Sequence, residues 1–302
     1  MNGFGLSYIA LASKNVAAAS RVLGDLLGLQ RSDRRFGDSM APVFAIGETA
    51  IAVFETDDPF LGKGARAGVH HVALAAADPH GMAQALTSTG FRAGTAPGGG
   101  IALDPAQAAG VRLRLAPALG LGVGRSAQLE RIDHIGIASA DNQAAIGVFC
   151  GQLGCPLESQ QTDMETQIAV ESFTSDKYGV VYHTRPPAIL GGLRVAFITA
   201  GDCELEFLQN FDPNQDGQVQ HGSAGNTRQD QGAIARYVAS RGPGLHHIAF
   251  KTPDIDATLA KLGEAGVALI DRKGRPGSRR ARIGFVHPNA MGGVLIHFVE
   301  RA

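Results

Sequence analysis

The sequence predicts an α+β protein assembled from four copies of one unit, each a strand, a helix and two or three further strands. Three patterns lead there. A short β-rich run recurs four times, at residues 6–12, 68–74, 131–138 and 244–250. Each run leads to Asn15, Asp78, Asp141 or Asp254, then to an Ala/Leu-rich stretch of helical period ending at or near Gly28, Gly90, Gly154 or Gly266. Alternating apolar stretches come after the helices, as at 50–54, 193–198 and 294–299. An Asn or Asp side chain accepts from the free N–H groups of a first helical turn, and glycine takes the left-handed conformation that closes a last one. Alternation with a period of two marks a half-buried strand.

Taken in order, the first unit joins Leu-Ser-Tyr-Ile-Ala-Leu-Ala at 6–12 to a helix over 15–29 and a strand over 50–54. The second joins Gly-Val-His-His-Val-Ala-Leu at 68–74 to a helix over 79–90. Residues 118–126, Ala-Leu-Gly-Leu-Gly-Val-Gly-Arg-Ser, read as a flexible linker. The third unit joins Arg-Ile-Asp-His-Ile-Gly-Ile-Ala at 131–138 to a helix over 141–154. Residues 212–231 are polar and without period, which fits either a disordered or surface-packed segment or a cover over substrate. The fourth unit joins Gly-Leu-His-His-Ile-Ala-Phe at 244–250 to a helix over 254–266.

The third and fourth units each set a histidine inside an apolar strand, and alignment on the apolar residues places His134 opposite His247. Strict alternation puts His134 on one face with Ile132 and Gly136, and turns His246 away from His247. A buried polar group without a partner costs about 1–3 kcal/mol. Two such histidines at equivalent repeat positions therefore read as two metal ligands, and the plain alternative is two hydrogen-bonded core residues.

A length of 302 residues suits two domains. The formal net charge of −1 offers no basic surface for nucleic acid or an anionic membrane. No apolar run approaches the roughly 20 residues of a membrane span, and no basic-then-apolar leader opens the chain, so a cytoplasmic, soluble protein is expected. Cys150, Cys155 and Cys203 are an odd, sparse set that argues against a disulfide framework and fits packing roles in a reducing compartment.

Four segments go further: Ile-Asp-His-Ile-Gly-Ile-Ala at 132–138, Ala-Ile-Ala-Arg-Tyr-Val-Ala-Ser-Arg-Gly-Pro-Gly-Leu-His-His-Ile-Ala-Phe at 233–250, Ala-Arg-Ile-Gly-Phe-Val-His-Pro at 281–288 and Gly-Gly-Val-Leu-Ile-His at 292–297. Together they resemble the vicinal oxygen chelate (glyoxalase/bleomycin resistance/dioxygenase) superfamily, and within it the methylmalonyl-CoA epimerase branch. The resemblance implies four βαβββ units paired into two modules, each a cupped, antiparallel-rich sheet with helices outside. A degenerate module without metal is expected at 1–118, a linker at 119–129 and a metal-binding module at 130–302.

The same resemblance implies the other two ligands. Leu-Glu-Phe-Leu at 205–208 matches the family's Ile-Glu-Leu-Leu and gives Glu206, while Leu-Ile-His-Phe at 295–298 matches Leu-Ile-Glu-Leu and gives His297. Glu204 shares a face with Glu206 but lies nearer the strand end, and Glu300 is expected to face away from His297. The expected ligand set is His134, Glu206, His247 and His297, holding one divalent ion. Three imidazoles and one carboxylate suit cobalt, manganese, zinc, nickel or iron better than calcium or magnesium. The first module's equivalent positions, Tyr8, Ala52, His71 and Arg114, lack that chemistry.

The resemblance implies a metal-dependent enzyme that stabilises an enolate-type intermediate on a small carbonyl or acyl-thioester substrate, as an epimerase, isomerase or lyase. A non-haem iron dioxygenase and a non-catalytic small-molecule binding protein are the alternatives. A small-molecule substrate is the expected partner, with room for a homodimer. The sequence departs from the epimerase pattern at His297, where that family has a carboxylate that also moves a proton, and at Asn289, where it has Lys. Residues 158–187 carry Glu171, Asp176, Tyr178, Tyr182 and His183, and Glu171 is the first choice for a replacement base.

Overall fold

The strand at Leu6–Ser13 (β1) is buried along its whole length, and its side chains divide between two faces. Ile9 and Leu11 enter one apolar core, while Tyr8, Ala10 and Ala12 enter another. A strand covered on both faces belongs in the middle of a sheet. In the computed structural model, which describes residues 4–167, 170–177, 179–184, 188–211 and 232–301, β1 lies between parallel β4 (Thr49–Glu55) and antiparallel β5 (Gly68–Ala75). Beyond β4 come β3 (Ser39–Ile46) and β2 (Arg31–Phe36); beyond β5 come β8 (Leu113–Ala116), β7 (Ile101–Leu103) and β6 (Ala93–Thr95).

The second sheet repeats this order as β10 (Leu157–Gln167), β13 (Ala188–Ala200), β14 (Cys203–Phe211), β9 (Arg131–Ser139), β15 (Gly244–Lys251), β18 (Ile296–Glu300), β17 (Arg282–Val286) and β16 (Arg275–Pro276). The strands β11 (Val170–Ser175) and β12 (Gly179–Thr184) form a separate hairpin between β10 and β13. In both sheets the opening strands of two units are antiparallel neighbours, and each pairs in parallel with the closing strand of its own unit. This is the expected α+β fold of four βαβββ units, drawn as two eight-stranded mixed sheets.

The helices begin and end where the punctuation placed them. Among the described residues they are α1 (Val16–Ser20), α2 (Pro79–Ser88), α3 (Asn142–Ile146) and, after an α4 (Gly232–Arg241) that the punctuation did not place, α5 (Ile255–Glu264). Asn15, Asp78, Asp141 and Asp254 each accept a backbone N–H of the first turn. Gly28, Gly90, Gly154 and Gly266 take φ values of 75°, 99°, 71° and 79°. What the pattern did not foretell is a widening of two helices: α1 and α3 run on as π-helical turns over Arg21–Leu26 and Gly147–Gln152.

One apolar core runs through both sheets, joining Ile9, Leu11 and Val72 to Ile135, Ile248 and Phe298. The stretch read as a flexible linker is pinned: Gly124 and Gly47 exchange backbone hydrogen bonds of 2.7 and 3.0 Å. Beside it the Glu48 N–H donates to the Asp202 carboxylate at 2.8 Å, and the Lys14 N–H donates to the Gly292 carbonyl at 2.8 Å. Cys150, Cys155 and Cys203 are free thiols, the last two buried. Residues 212–231, read as surface or substrate cover, lie outside the described residues.

Candidate metal centre

Two β-bulges shape the candidate centre. Between β9 and β15 the register slips at Asp133 and again at His246. A bulge adds one residue to one strand and re-aims its side chains. Ile132 thus joins Ile135 and Ile137 in the outer core, so the expected sharing of a face between Ile132 and His134 does not hold. Gly136 does share the face of His134: a Cβ there would lie 2.0 Å from Cε1 of His247, so the ring of His247 occupies the space that a side chain would take. The second bulge brings Nδ1 of His246 to 3.0 Å from Nδ1 of His247, in place of turning the two rings fully apart.

Four side chains from four strands meet inside the cup. His134 comes from β9, Glu206 from β14, His247 from β15 and His297 from β18, and all are buried. Glu206 Oε2 lies 3.2 Å from His134 Nε2 and 3.7 Å from His247 Nε2. His297 Nε2 lies 3.1 Å from His134 Nε2. Ligand atoms around an ion with bonds of about 2.0–2.2 Å sit roughly 3–3.6 Å from one another, so these spacings fit a shared ion. Ring nitrogens of all three histidines fall within 4.8 Å of one another. His247 Nε2 is buried without a hydrogen-bond partner, which a metal bond would remedy.

Asp133 was not foreseen. The bulge turns it so that its carboxylate accepts from His134 Nδ1 at 2.8 Å and from Arg301 at 2.8 Å. That bond fixes the His134 tautomer and leaves Nε2 facing the cluster. Its one signal in the sequence is the Asp-His pair, and alternation would have sent Asp133 to the opposite face. Arg279 also escaped the sequence reading. Its guanidinium lies 3.7 Å from the centre of the Phe197 ring and pairs with Glu204 and Glu158. Asp163 on β10 is buried and bonded to Ser278, which lines the cup. Glu171 lies on the β11–β12 hairpin opposite His183, and its side chain is outside the described residues, as is Tyr178. Glu300 does point away from the cup, accepting from the Ile255 N–H at 2.7 Å.

Burial opposes charge at every group in the cluster. At His134 the carboxylates of Glu206 and Asp133 outweigh it and push the pKa up to about 9. Burial would raise Glu206, but the His134 imidazolium holds it below its ordinary value, and Asp133 is likewise held down to about 2 despite burial by His134 and Arg301. Burial, reinforced by neighbouring imidazoles, keeps His247 and His297 well below 6.5. Without an ion the cluster carries one proton on His134 beside an ionised Glu206. A cation can take that proton's place.

A family model described as the Glyoxalase/Bleomycin resistance protein/Dioxygenase superfamily matches residues 133–285, half of the chain. The chain belongs to this superfamily. The uncharacterized protein YqjC of Bacillus subtilis (strain 168) is 26% identical over 172 residues, covering 57% of this chain and 93% of its own. A stretch of 40 residues is 58% identical to 3-dehydroshikimate dehydratase of Pseudomonas aeruginosa, 13% of this chain and 6% of that protein. Among solved structures, methylmalonyl-CoA epimerase from Mycobacterium tuberculosis is 26% identical over 59% of this chain and 92% of its own, with a TM-score of 0.39. A 4-hydroxymandelate synthase mutant from Streptomyces coelicolor matches 100% of this chain and 93% of its own at a TM-score of 0.60 and 15% identity, a likeness of fold alone.

Superfamily members bind a divalent metal, and the three clustered imidazoles of the second sheet can hold one. The first sheet of this superfamily member repeats the same register. Tyr8, Ala52, His71 and Arg114 stand where His134, Glu206, His247 and His297 stand in the second. No helix among the described residues is long and apolar enough to cross a membrane.

Proposed function

We propose that the second sheet, within a module spanning 130–302, is the active centre of a metal-dependent enzyme. The ligands are His134, Glu206, His247 and His297. The reaction stabilises an enolate-type intermediate on a small carbonyl or acyl-thioester substrate, as an epimerase, isomerase or lyase. The residues 1–118 form the companion module and 119–129 the connection. The observation that carries this reading is the convergence of four buried ligand-type side chains, with His247 Nε2 left unpartnered among them. The short stretch of likeness to a dehydratase favours the same class, since dehydration beside a carbonyl also begins with loss of an α-proton.

A divalent ion in that set supplies a Lewis acid for negative charge developing on a substrate oxygen. The chain's own residues do the rest. Asp133 orients His134, and Phe197 and Phe285 wall the cup against water. Arg301 lines the cup and is paired with Asp133, while Arg279 braces Phe197 from behind. Glu171 is the proposed base. Asp163 is a second carboxylate suited to moving a proton, because burial raises its proton affinity.

The test combines metal analysis with proton exchange. Protein purified without added metal should carry one ion per chain. A panel of 2-oxo acids and acyl thioesters in deuterated water should show α-proton exchange without oxygen uptake. Glu171→Gln should slow exchange by roughly two orders of magnitude or more at unchanged metal content, the scale of a lost general base. If Asp163→Asn does so instead, the base is Asp163. Oxygen uptake coupled to turnover overturns the reading in favour of a dioxygenase, and ligand binding without any exchange overturns it in favour of a binding protein.

A further inference from the structure

A second cavity lies on the other side of the sheets, where the two halves of the molecule meet. It is a cleft of about 820 Å³, within the roughly 300–1,000 Å³ of ordinary ligand sites. Four arginines line it: Arg66 ahead of β5, Arg112 ahead of β8, and Arg236 and Arg241 of α4. No Asp or Glu is among its described lining residues, although the whole chain is nearly neutral, with a formal charge of −1. Arg66, Arg112 and Arg241 bring three guanidinium groups to one concavity with no carboxylate among its described lining residues, and so raise a positive potential there that a bound anion relieves.

We propose that this cleft is a binding site for a multiply charged oxyanion of the phosphate type. Its walls are built rather than incidental. Tyr237 donates to the Leu245 carbonyl at 2.7 Å, and its ring holds Arg241 at 5.2 Å on one side and His246 at 5.0 Å on the other. His70 and His246 face the cleft as the bulged residues of two equivalent strands, so both halves contribute alike. Burial first, and then Arg112 and Arg114, hold His70 down to about 3. The His70 ring therefore stays neutral at physiological pH. Guanidinium forks match phosphate and carboxylate oxygens two bonds at a time, which a single lysine cannot do. The cleft shares no lining residue with the metal cup, although the two touch through the His246–His247 ring contact. The inference does not depend on the enzyme assignment.

The test is calorimetric titration of the full chain with inorganic pyrophosphate and, separately, with citrate. One molecule per chain should bind, more weakly as salt is raised. Binding of pyrophosphate supports a phosphate-type ligand; binding of citrate without pyrophosphate overturns it in favour of a polycarboxylate. Arg66→Gln, Arg112→Gln and Arg241→Gln should each weaken binding at least about tenfold, the loss of roughly one charge-assisted contact, at an unchanged melting temperature. Because pyrophosphate also chelates metals, the titration is repeated with His134→Ala and His247→Ala combined, where binding should persist. Absence of binding by both anions, insensitivity to all three arginine substitutions, or loss of binding with the metal cup would each overturn the proposal.

Discussion

The two sheets share strand order, parallel pairing and even the positions of their bulges, yet their cups are filled differently. In the first, His71 meets the Tyr8 hydroxyl at 3.3 Å, and Arg114 donates to the Phe60 carbonyl at 2.7 Å while lying 4.3 Å from the centre of the Phe60 ring. Phe36, Phe54 and Phe60 pack around them, leaving aromatic surface where an ion would need oxygen or nitrogen. In the second, the same four positions carry three imidazoles and a carboxylate. The backbone supplies a place where four side chains meet. Which chemistry occurs there is decided by those side chains and one supporting carboxylate, Asp133, whose counterpart is Ser7.

The sharpest way to break this comparison is to remove ligands from each cup in turn. His134→Ala with His247→Ala should take metal content from one ion per chain to none, whereas Tyr8→Phe with His71→Ala should leave it unchanged. Metal loss from the second pair of substitutions would end the asymmetry. Elemental analysis after gel filtration reads both.

Next comes pH. An ion must displace the proton of His134, whose pKa is pushed up to about 9. Apparent metal affinity should therefore fall about tenfold for each pH unit below 9, or about a thousandfold by pH 6, as expected for one proton released. For the metal-free chain the sign reverses. The proton on His134 stabilises the fold fully below pH 6.5, and that stabilisation is lost as pH rises through about 9. Competition with a chromophoric chelator from pH 6 to 9 checks the first slope, and a flat profile would contradict it.

Asp133→Asn should weaken metal binding by about 10–100-fold, the usual effect of losing a carboxylate behind a ligating imidazole. Ser7→Ala in the first sheet, which removes only a 2.7 Å bond to the Pro117 carbonyl, should leave metal affinity where it was. The smallest effect belongs to the floor of each cup. Gly136→Ala drives a methyl into the His247 ring and should cost about 1–3 kcal/mol, with some loss of metal affinity. The first sheet already carries alanine at the matching position, Ala10, and Ala10→Gly there should cost at most about 1 kcal/mol. Thermal melts of the two variants side by side give the ranking.

Much of this was legible in the sequence. Caps at Asn15, Asp78, Asp141 and Asp254 and the glycine stops are local chemistry, so they survive folding unchanged. His134 and His247 were visible because a repeat doubles the signal of a lone polar residue in an apolar strand. Bulges were not visible: they depend on a partner strand far away in sequence, so Ile132 was given the wrong face and Asp133 was passed over. The pinning of Gly124 on Gly47 and the arginines of the cleft depend in the same way on long-range packing. The widening of α1 and α3 into π-helical turns left no compositional trace.

The parallel pairing of opening and closing strands also sets an order of events. His134 and His297 are separated by 163 residues, and β18, the last strand in sequence, pairs with β15. Contacts so distant in sequence must overcome a large loop-closure entropy and form late. The ion site is therefore complete only when the final strand has docked. During refolding, the rate of metal capture should follow that docking step, making the ion a clock for the end of folding.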